Sequence, residues 1–264
     1  MTWLRRSRFG HWVHFLALPL AGYDGRAGAS AVAAAARGVI VAFALLAFGY
    51  VLNGLADRRM DRSPKNHFAG DSASPRGAFT VLAALVSLVV LASTPAPLPA
   101  RIATALCLAS AVAYSVGPRL KRFPVVGSLA NLTNFVPLLW VGVVDAGEPR
   151  AIGVLAVAFG CLLLQNQLLH EAADRGEDSA GGVRTTVMLL GREGSAMAAA
   201  ALGLLAVLAA WRAGISPWLP ALVYVAGFPL VLARSGDDER RMAYVRVAHR
   251  AFSIVFGAAL FAVR

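Results

Sequence analysis

The sequence predicts an all-α, polytopic membrane protein of about nine transmembrane helices around a central cavity. Three observations predict it. Of the 264 residues, 58% are hydrophobic and 15% charged, and the mean hydropathy is +0.64; ordinary soluble domains hold about 45–50% apolar and about 25% charged residues. The apolar residues come in runs long enough to cross the hydrocarbon of a bilayer. The 25 Lys and Arg residues fall mostly between those runs, as membrane topology demands. This pattern excludes a disordered chain and speaks against a soluble enzyme. Abundant Ala and 25 Gly residues suit close helix approach in lipid. The net charge of +11 and pI near 10.9 would suit nucleic acid, but cations confined to the loops between spans are a topology signal, and no nucleic-acid partner is expected.

Runs bounded by charge, Pro or Gly set the spans in order. The first, 9–23, follows Arg5, Arg6 and Arg8 and is read as a membrane helix rather than a cleaved signal peptide, since no periplasmic-type soluble domain follows it. Span 2, 31–53, stops at Asn53 before a charged stretch. Span 3, 77–95, lies between Arg76 and the Pro-rich 95–99 segment, and span 4, 100–117, runs from there to Gly117-Pro118. Span 5, 124–145, starts at Pro124 and ends at Asp145. Span 6, 150–172, ends in an acidic stretch. Spans 7, 8 and 9, at 194–211, 215–233 and 247–263, are separated by Arg212 and by the charged segment 234–246. The first and last are the shortest. No loop is long enough for a separate soluble domain, so residues 1–264 are read as one integral-membrane domain. Cys107 and Cys161 lie inside apolar runs and read as small buried hydrophobes.

Nineteen of the 25 cations lie at the N-terminus and in the segments after spans 2, 4, 6 and 8; six lie on the other side. That asymmetry places the N-terminus and the charged loops in the cytoplasm of a bacterial-type inner or plasma membrane. The acids are sparser and more telling. Six of the 14 Asp and Glu residues fall in two short stretches, Asn53-Gly-Leu-Ala-Asp57-Arg-Arg-Met-Asp61 and His170-Glu171-Ala-Ala-Asp174-Arg-Gly-Glu177-Asp178. Each closes a span, and the four crossings between them put both on one membrane face. Asn53, Asp57 and Asp61 recur every four residues; Glu171, Asp174 and Asp178 follow at three and four. On continuing helices each set projects from one face. Like charges at that spacing, held at a membrane edge, oppose folding, and a divalent cation reverses the sign. Carboxylate oxygens suit Mg²⁺, which takes one or two of them and completes its shell with water and phosphate. The two clusters therefore read as a cradle for Mg²⁺ bridging a diphosphate. The bland alternative is a pair of solvated caps balanced by Arg58, Arg59, Arg62 and Arg175.

With these motifs in place the chain resembles the UbiA superfamily of intramembrane prenyltransferases, whose two Asp-rich motifs, N-D-x-x-D-x-x-x-D and D-x-x-D-x-x-x-D, follow helices 2 and 6 of nine. NGLADRRMD matches the first, with Gly54 where the family often has Asp. HEAADRGED matches the second, with Glu171, Asp174 and Asp178 on the acidic positions, and GGVRTTVMLLG continues it. Tyr114-Ser115-Val-Gly-Pro118-Arg119-Leu-Lys121-Arg122 is similar to the family's loop after helix 4. His170 and the Phe9-Gly10-His11-Trp12 opening depart from the family pattern, as does Gly54. The resemblance implies Mg²⁺-dependent transfer of an isoprenoid from a prenyl diphosphate donor to a lipophilic small-molecule acceptor amid membrane lipid. The expected acceptor is aromatic or a quinone precursor; the alternative is a glycerol phosphate lipid, a haem or a sugar phosphate.

In that reading Asp57, Asp61, Asp174 and Asp178, with Glu171, are the metal ligands. Asn53 supplies a carbonyl oxygen or orients the acceptor. Lys65, Arg119, Lys121 and Arg122 clamp the diphosphate. Tyr114 offers an aromatic face to an allylic cation, while Phe48 and Tyr50 read as packing. His67 and His170 adjoin the clusters but read as plain structure rather than as a base. A cation-coupled transporter is the competitor from another class. It is disfavoured because transporter sites sit near the bilayer midplane on broken helices, whereas these acids sit at helix ends.

Overall fold

A computed structural model describes residues 3–23, 28–59, 66–69, 75–144 and 149–262. All regular structure among them is helical. Six helical stretches are long and apolar enough to cross a membrane: Gly28–Asp57, Arg76–Ser93, Leu98–Ser115, Ile152–Ala173, Thr186–Arg212 and Trp218–Ser235, with a shorter apolar stretch at Val126–Leu139. The protein is an integral-membrane helical fold. Six of the nine expected spans appear among these helices; the expected first, fifth and last take other forms. The first expected span is two single turns, α1 (Trp3–Arg6) and α2 (Phe9–Trp12), followed by a 3₁₀ helix, Val13–Gly22, that holds Pro19. The fifth is α6 (Val126–Phe135), which gives way to 3₁₀ geometry at Val136–Leu139 over Pro137. The last, α12 (Glu239–Ala262), begins eight residues before the expected span in a charged turn. Pro removes a backbone donor and clashes with the preceding turn, so a regular helix does not pass through it.

The chain forms two compact units, Met1–Leu120 with Thr133–Ile152, and Lys121–Leu132 with Gly153–Arg264. In the first, α3 (Gly28–Asp57) packs against α4 (Pro75–Ser93), α5 (Leu98–Ser115) and the 3₁₀ helix. Phe48 and Val51 on α3, Ala78 and Leu82 on α4, Ala111 on α5 and Phe68 form its core near the end of α3. At the other end small residues let backbones meet. A Cβ on Gly38 would lie 2.6 Å from the Gly142 Cα, and one on Gly142 would overlap the Pro19 carbonyl oxygen. Arg37 donates to the Val143 carbonyl at 3.4 Å beside this crossing.

The second unit contains α7 (Pro149–Ala173) from Gly153 onward, α8 (Arg175–Ala180), α9 (Thr186–Arg212), α10 (Trp218–Pro220), a π-helical turn at Ala221–Gly227, α11 (Phe228–Ser235) and α12. The π turn is tied to chain chemistry. A π bond to the Tyr224 carbonyl would have to come from residue 229, which is Pro and has no N–H. Gln165, fully buried on α7, fills the gap: its amide donates to the Tyr224 carbonyl and to the Ala199 carbonyl, both at 2.7 Å. Its oxygen meets His249 Nε2 at 2.8 Å. Gly203 makes room, since a Cβ there would overlap the Tyr224 carbonyl. One side chain thereby joins α7, α9, the π turn and α12. Leu91, Met197, Trp218 and Val255 stand exposed on outer faces, where hydrocarbon is their natural solvent.

Gly142→Ala forces the Pro19 contact apart, and overpacking of this kind costs about 1–3 kcal/mol. It will lower the midpoint of thermal unfolding in detergent by several degrees. Gly153→Ala, where an added Cβ meets nothing within 4 Å, will leave it unchanged or raised.

Candidate functional site

In the first unit the end of α3 carries Asn53, Gly54 and Asp57, and α5 brings Tyr114 and Ser115 beside it. The Ser115 hydroxyl donates to Asn53 Oδ1 at 3.5 Å. Beyond α5 the chain turns through Gly117 (φ 63°) and Arg119 (φ 52°), two residues in the left-handed region that only glycine enters without strain. That turn aims Arg119 back at α3, where its guanidinium donates to Asp57 Oδ1 at 2.7 Å. The expected diphosphate cation and the expected metal ligand thus meet in one ion pair. Tyr114 is half-buried in the last turn of α5. Asp61 and Lys65 lie outside the described residues.

Gly54 has a local explanation. The Phe68 ring, 2% exposed, lies where a side chain at 54 would go: an added Cβ falls 2.8 Å from Phe68 Cδ2. Asn66 fixes this return of the chain. Its amide donates to the Gly54 carbonyl at 3.2 Å, and its oxygen accepts the Phe68 N–H at 3.0 Å. Arg6 stacks over Trp3 at 4.8 Å and Phe68 at 5.9 Å. Burial, and then the charges of Arg5 and Arg8, hold the His67 imidazole below its ordinary 6.5, so it is neutral at pH 7.

In the second unit α7 ends at Ala173, and Asp174 starts α8 as its N-cap, without a side-chain cap bond. Asp174 Oδ2 lies 3.1 Å from His170 Nδ1, which gives the expected plain histidine a contact with a candidate ligand. Asp178 follows one turn on, its N–H donating to the Asp174 carbonyl at 2.9 Å. Arg175 on α8 and Arg192 on α9 both pair with Asp237, and the Gly176 N–H donates to Glu239 Oε1 at 2.6 Å, so α8 is docked to the start of α12 and the residues just before it. The chain then reverses at Gly182 (φ 67°) into α9, whose N-cap Thr185 accepts from the Met188 N–H. Lys121 and Arg122, expected on the diphosphate, sit in a 3₁₀ turn, Leu120–Arg122; Lys121 is half-buried and Arg122 exposed.

Glu171 differs from expectation. It is 8% exposed and surrounded by protein donors: Ser128 Oγ at 2.7 Å, Gln167 Nε2 at 3.2 Å and Thr186 Oγ1 at 3.4 Å on one oxygen, and the Val187 N–H at 3.1 Å on the other. Ser128, Thr186, Asn66 and Phe68 did not stand out in the sequence. Only the Thr-Thr pair within the matched GGVRTT stretch hinted at any of them.

Among the described residues no group of three or more His, Cys, Asp or Glu side chains gathers as a metal cluster. The donor chemistry nonetheless fits Mg²⁺, which needs only one or two carboxylates from the protein: Asp174 and Asp178 are separated by one turn, and Asp57 is held partly exposed at a helix end.

A family model described as UbiA prenyltransferase family matches residues 12–259. Among curated proteins, a digeranylgeranylglyceryl phosphate synthase from Methanoculleus marisnigri is 32% identical over 202 residues, 73% of this chain and 69% of the relative. One of the same name from Natronomonas pharaonis is 27% identical over 219 residues, 79% of this chain and 78% of the relative. Among solved structures, a UbiA homologue from Archaeoglobus fulgidus bound to GPP and Mg²⁺ superposes with a TM-score of 0.72 at 20% identity, covering 98% of this chain and 99% of that one. A structure concerned with digeranylgeranylglyceryl phosphate synthase in membranes gives a TM-score of 0.76 at 16% identity, covering 99% and 97%. At these identities the likeness to solved structures is one of fold.

Gly54→Asp restores the residue type common in the resembling motif but drives it into Phe68. It will cost about 1–3 kcal/mol by overpacking. In a Phe68→Ala background the same change will cost less by about 1 kcal/mol, because the two sites share one space; a thermal-unfolding double-mutant cycle in detergent measures the difference.

Proposed function

Because the chain belongs to the UbiA prenyltransferase family, we propose that it moves an isoprenyl group from its diphosphate to a glycerol phosphate lipid within the membrane. One observation carries the choice of acceptor. Three curated relatives, 27–32% identical over most of this chain, share the name digeranylgeranylglyceryl phosphate synthase, a name for making a glyceryl phosphate with two geranylgeranyl groups. This favours the glycerol phosphate alternative over the expected aromatic or quinone-precursor acceptor, for which no relative speaks. The transporter reading of the acids gives way to family membership.

In this reading the prenyl C–O bond breaks, the diphosphate leaves with the electron pair, and a C–O bond forms to a glycerol hydroxyl, whose proton passes to water or to the departing diphosphate. Asp57, Asp61, Asp174 and Asp178 hold Mg²⁺, which when bound neutralises the charge that develops on the leaving group. Lys65, Lys121 and Arg122 bind the diphosphate oxygens. Arg119, anchored on Asp57, orients that carboxylate and joins the cations on the diphosphate. Asn53, steadied by Ser115, orients the acceptor. The Tyr114 ring faces the allylic cation, an interaction worth about 0.5–2 kcal/mol. Solved homologues hold GPP or DMAPP together with Mg²⁺, which supports this donor and metal. The positive-inside distribution supports a cytoplasmic N-terminus and cytoplasmic acid clusters.

Purified protein in nanodiscs, given radiolabelled geranylgeranyl diphosphate, will prenylate a glyceryl phosphate that bears one geranylgeranyl group and will leave an aromatic hydroxy acid untouched. EDTA will abolish transfer, and Asp57→Asn or Asp174→Asn will reduce it at least a hundredfold with the fold intact. Prenylation of the aromatic acid instead would overturn the acceptor, and normal rates in both variants would overturn the metal ligands.

A further inference from the structure

We propose that Glu171 is a positioning residue rather than a magnesium ligand: its carboxylate pins the turn before α6 and the start of α9 to the end of α7. The inference rests on the prenyl-transfer reading, because what it positions is the candidate diphosphate cations Lys121 and Arg122 and the candidate ligand Asp174.

The carboxylate is held by protein donors on both oxygens. An ionised carboxylate offers about four lone-pair sites; Ser128 and Gln167 donate to Glu171 Oε1 and the Val187 N–H donates to Oε2, with Thr186 Oγ1 3.4 Å from Oε1. A metal ion on Oε1 would have to displace its donors. The donors are themselves linked. Thr186 Oγ1 accepts the Val125 N–H at 2.9 Å and meets Ser128 Oγ at 2.8 Å, while Gln167 accepts from Asn131 at 2.9 Å. A chain of hydrogen bonds therefore runs from the Val125 backbone through two hydroxyls to Glu171, each bond polarising the next. At its far end is strain. Val125 has φ 63°, a conformation that a β-branched residue adopts only when its surroundings impose it. Val125 lies three residues after Arg122, so the bond that holds it also fixes the end of the cationic turn. At the other end the carboxylate sits on the second residue of α9, where exposed N–H groups favour a negative charge.

The side chain has the length this job needs. The resembling motif has Asp at this position; Glu adds one methylene, and the carboxylate reaches Ser128 on one element and Val187 on another. An Asp here retains the charge and the ligand chemistry but not the reach. Metal ligation and positioning thus predict opposite outcomes for one conservative change.

The test measures hydrogen exchange in the full-length protein in detergent with EDTA, and separately the Mg²⁺ concentration for half-maximal transfer. Glu171→Asp and Glu171→Gln will speed exchange at least tenfold in peptides covering 121–128 and 185–190 without any metal, and will lower kcat at least tenfold while Mg²⁺ half-saturation stays within twofold. Ser128→Ala, which leaves every carboxylate in place, will speed exchange in the same two segments, and it decides the matter if the Glu171 variants do not fold. Wild-type exchange in Glu171→Asp or in Ser128→Ala overturns the proposal, and so does a tenfold rise in Mg²⁺ half-saturation for Glu171→Gln. Should the unmodified protein transfer no prenyl group at all, the prenyl-transfer reading fails, while the exchange measurements still decide what Glu171 holds.

Discussion

Hydrocarbon offers no partner to a polar group, so every backbone donor and acceptor that the chain takes into the membrane must be met by the chain itself. The rest of the structure depends on that constraint. It explains why all described regular structure is helical, and why the π turn has a buried amide and a glycine beside it. The Tyr224 carbonyl lies in a π turn with Pro229 where the next donor would be, and the buried Gln165 amide supplies the bond. The same residue engages His249 and the Ala199 carbonyl. The Glu171 carboxylate is likewise met by Ser128, Gln167 and the Val187 N–H. Polar groups left in spans are costly, and Gln165 and Glu171 are spent on joining elements.

The same constraint sorts the acids. Asp57 and Asp174 sit at helix ends, 16% and 24% exposed in their side chains, open enough to exchange partners. Glu171, one turn deeper than Asp174, is closed off. A carboxylate that is to gain and lose a metal with each substrate belongs at the first kind of position; one that holds a fold belongs at the second. The Arg119–Asp57 pair is intermediate. It is short and partly screened by solvent, so it contributes little to stability while keeping a cation and a carboxylate in register at the mouth of α3.

Sequence reading reaches the features set by composition and local period. The helices that end at Asp57 and Ala173 were legible because a long apolar run stops abruptly at charge, and the acid motifs were legible because their spacing repeats. The Tyr114–Arg122 loop was legible by its resemblance. What escaped was set by distant partners or by proline. Pro19 and Pro137 change helix type inside predominantly apolar runs, so hydropathy does not register them. Gly54 read only as a departure from the family motif because Phe68, fourteen residues on, fills its space only in three dimensions. Glu171 read as one acid among three because spacing reports which face a residue shares, not which donors await it. The acceptor was left open between an aromatic ring and a glycerol phosphate lipid because the motifs are those the resembling family shares.

The central claim is that Asp57 and Asp174 are both needed for binding a prenyl diphosphate with magnesium. Calorimetric binding of an unreactive prenyl thiodiphosphate tests it most directly, since no acceptor is needed. The account predicts tight binding only with Mg²⁺ present, lost when either Asp57 or Asp174 becomes Asn. Binding that is equally tight in EDTA, or that survives neutralisation of one stretch, would contradict it.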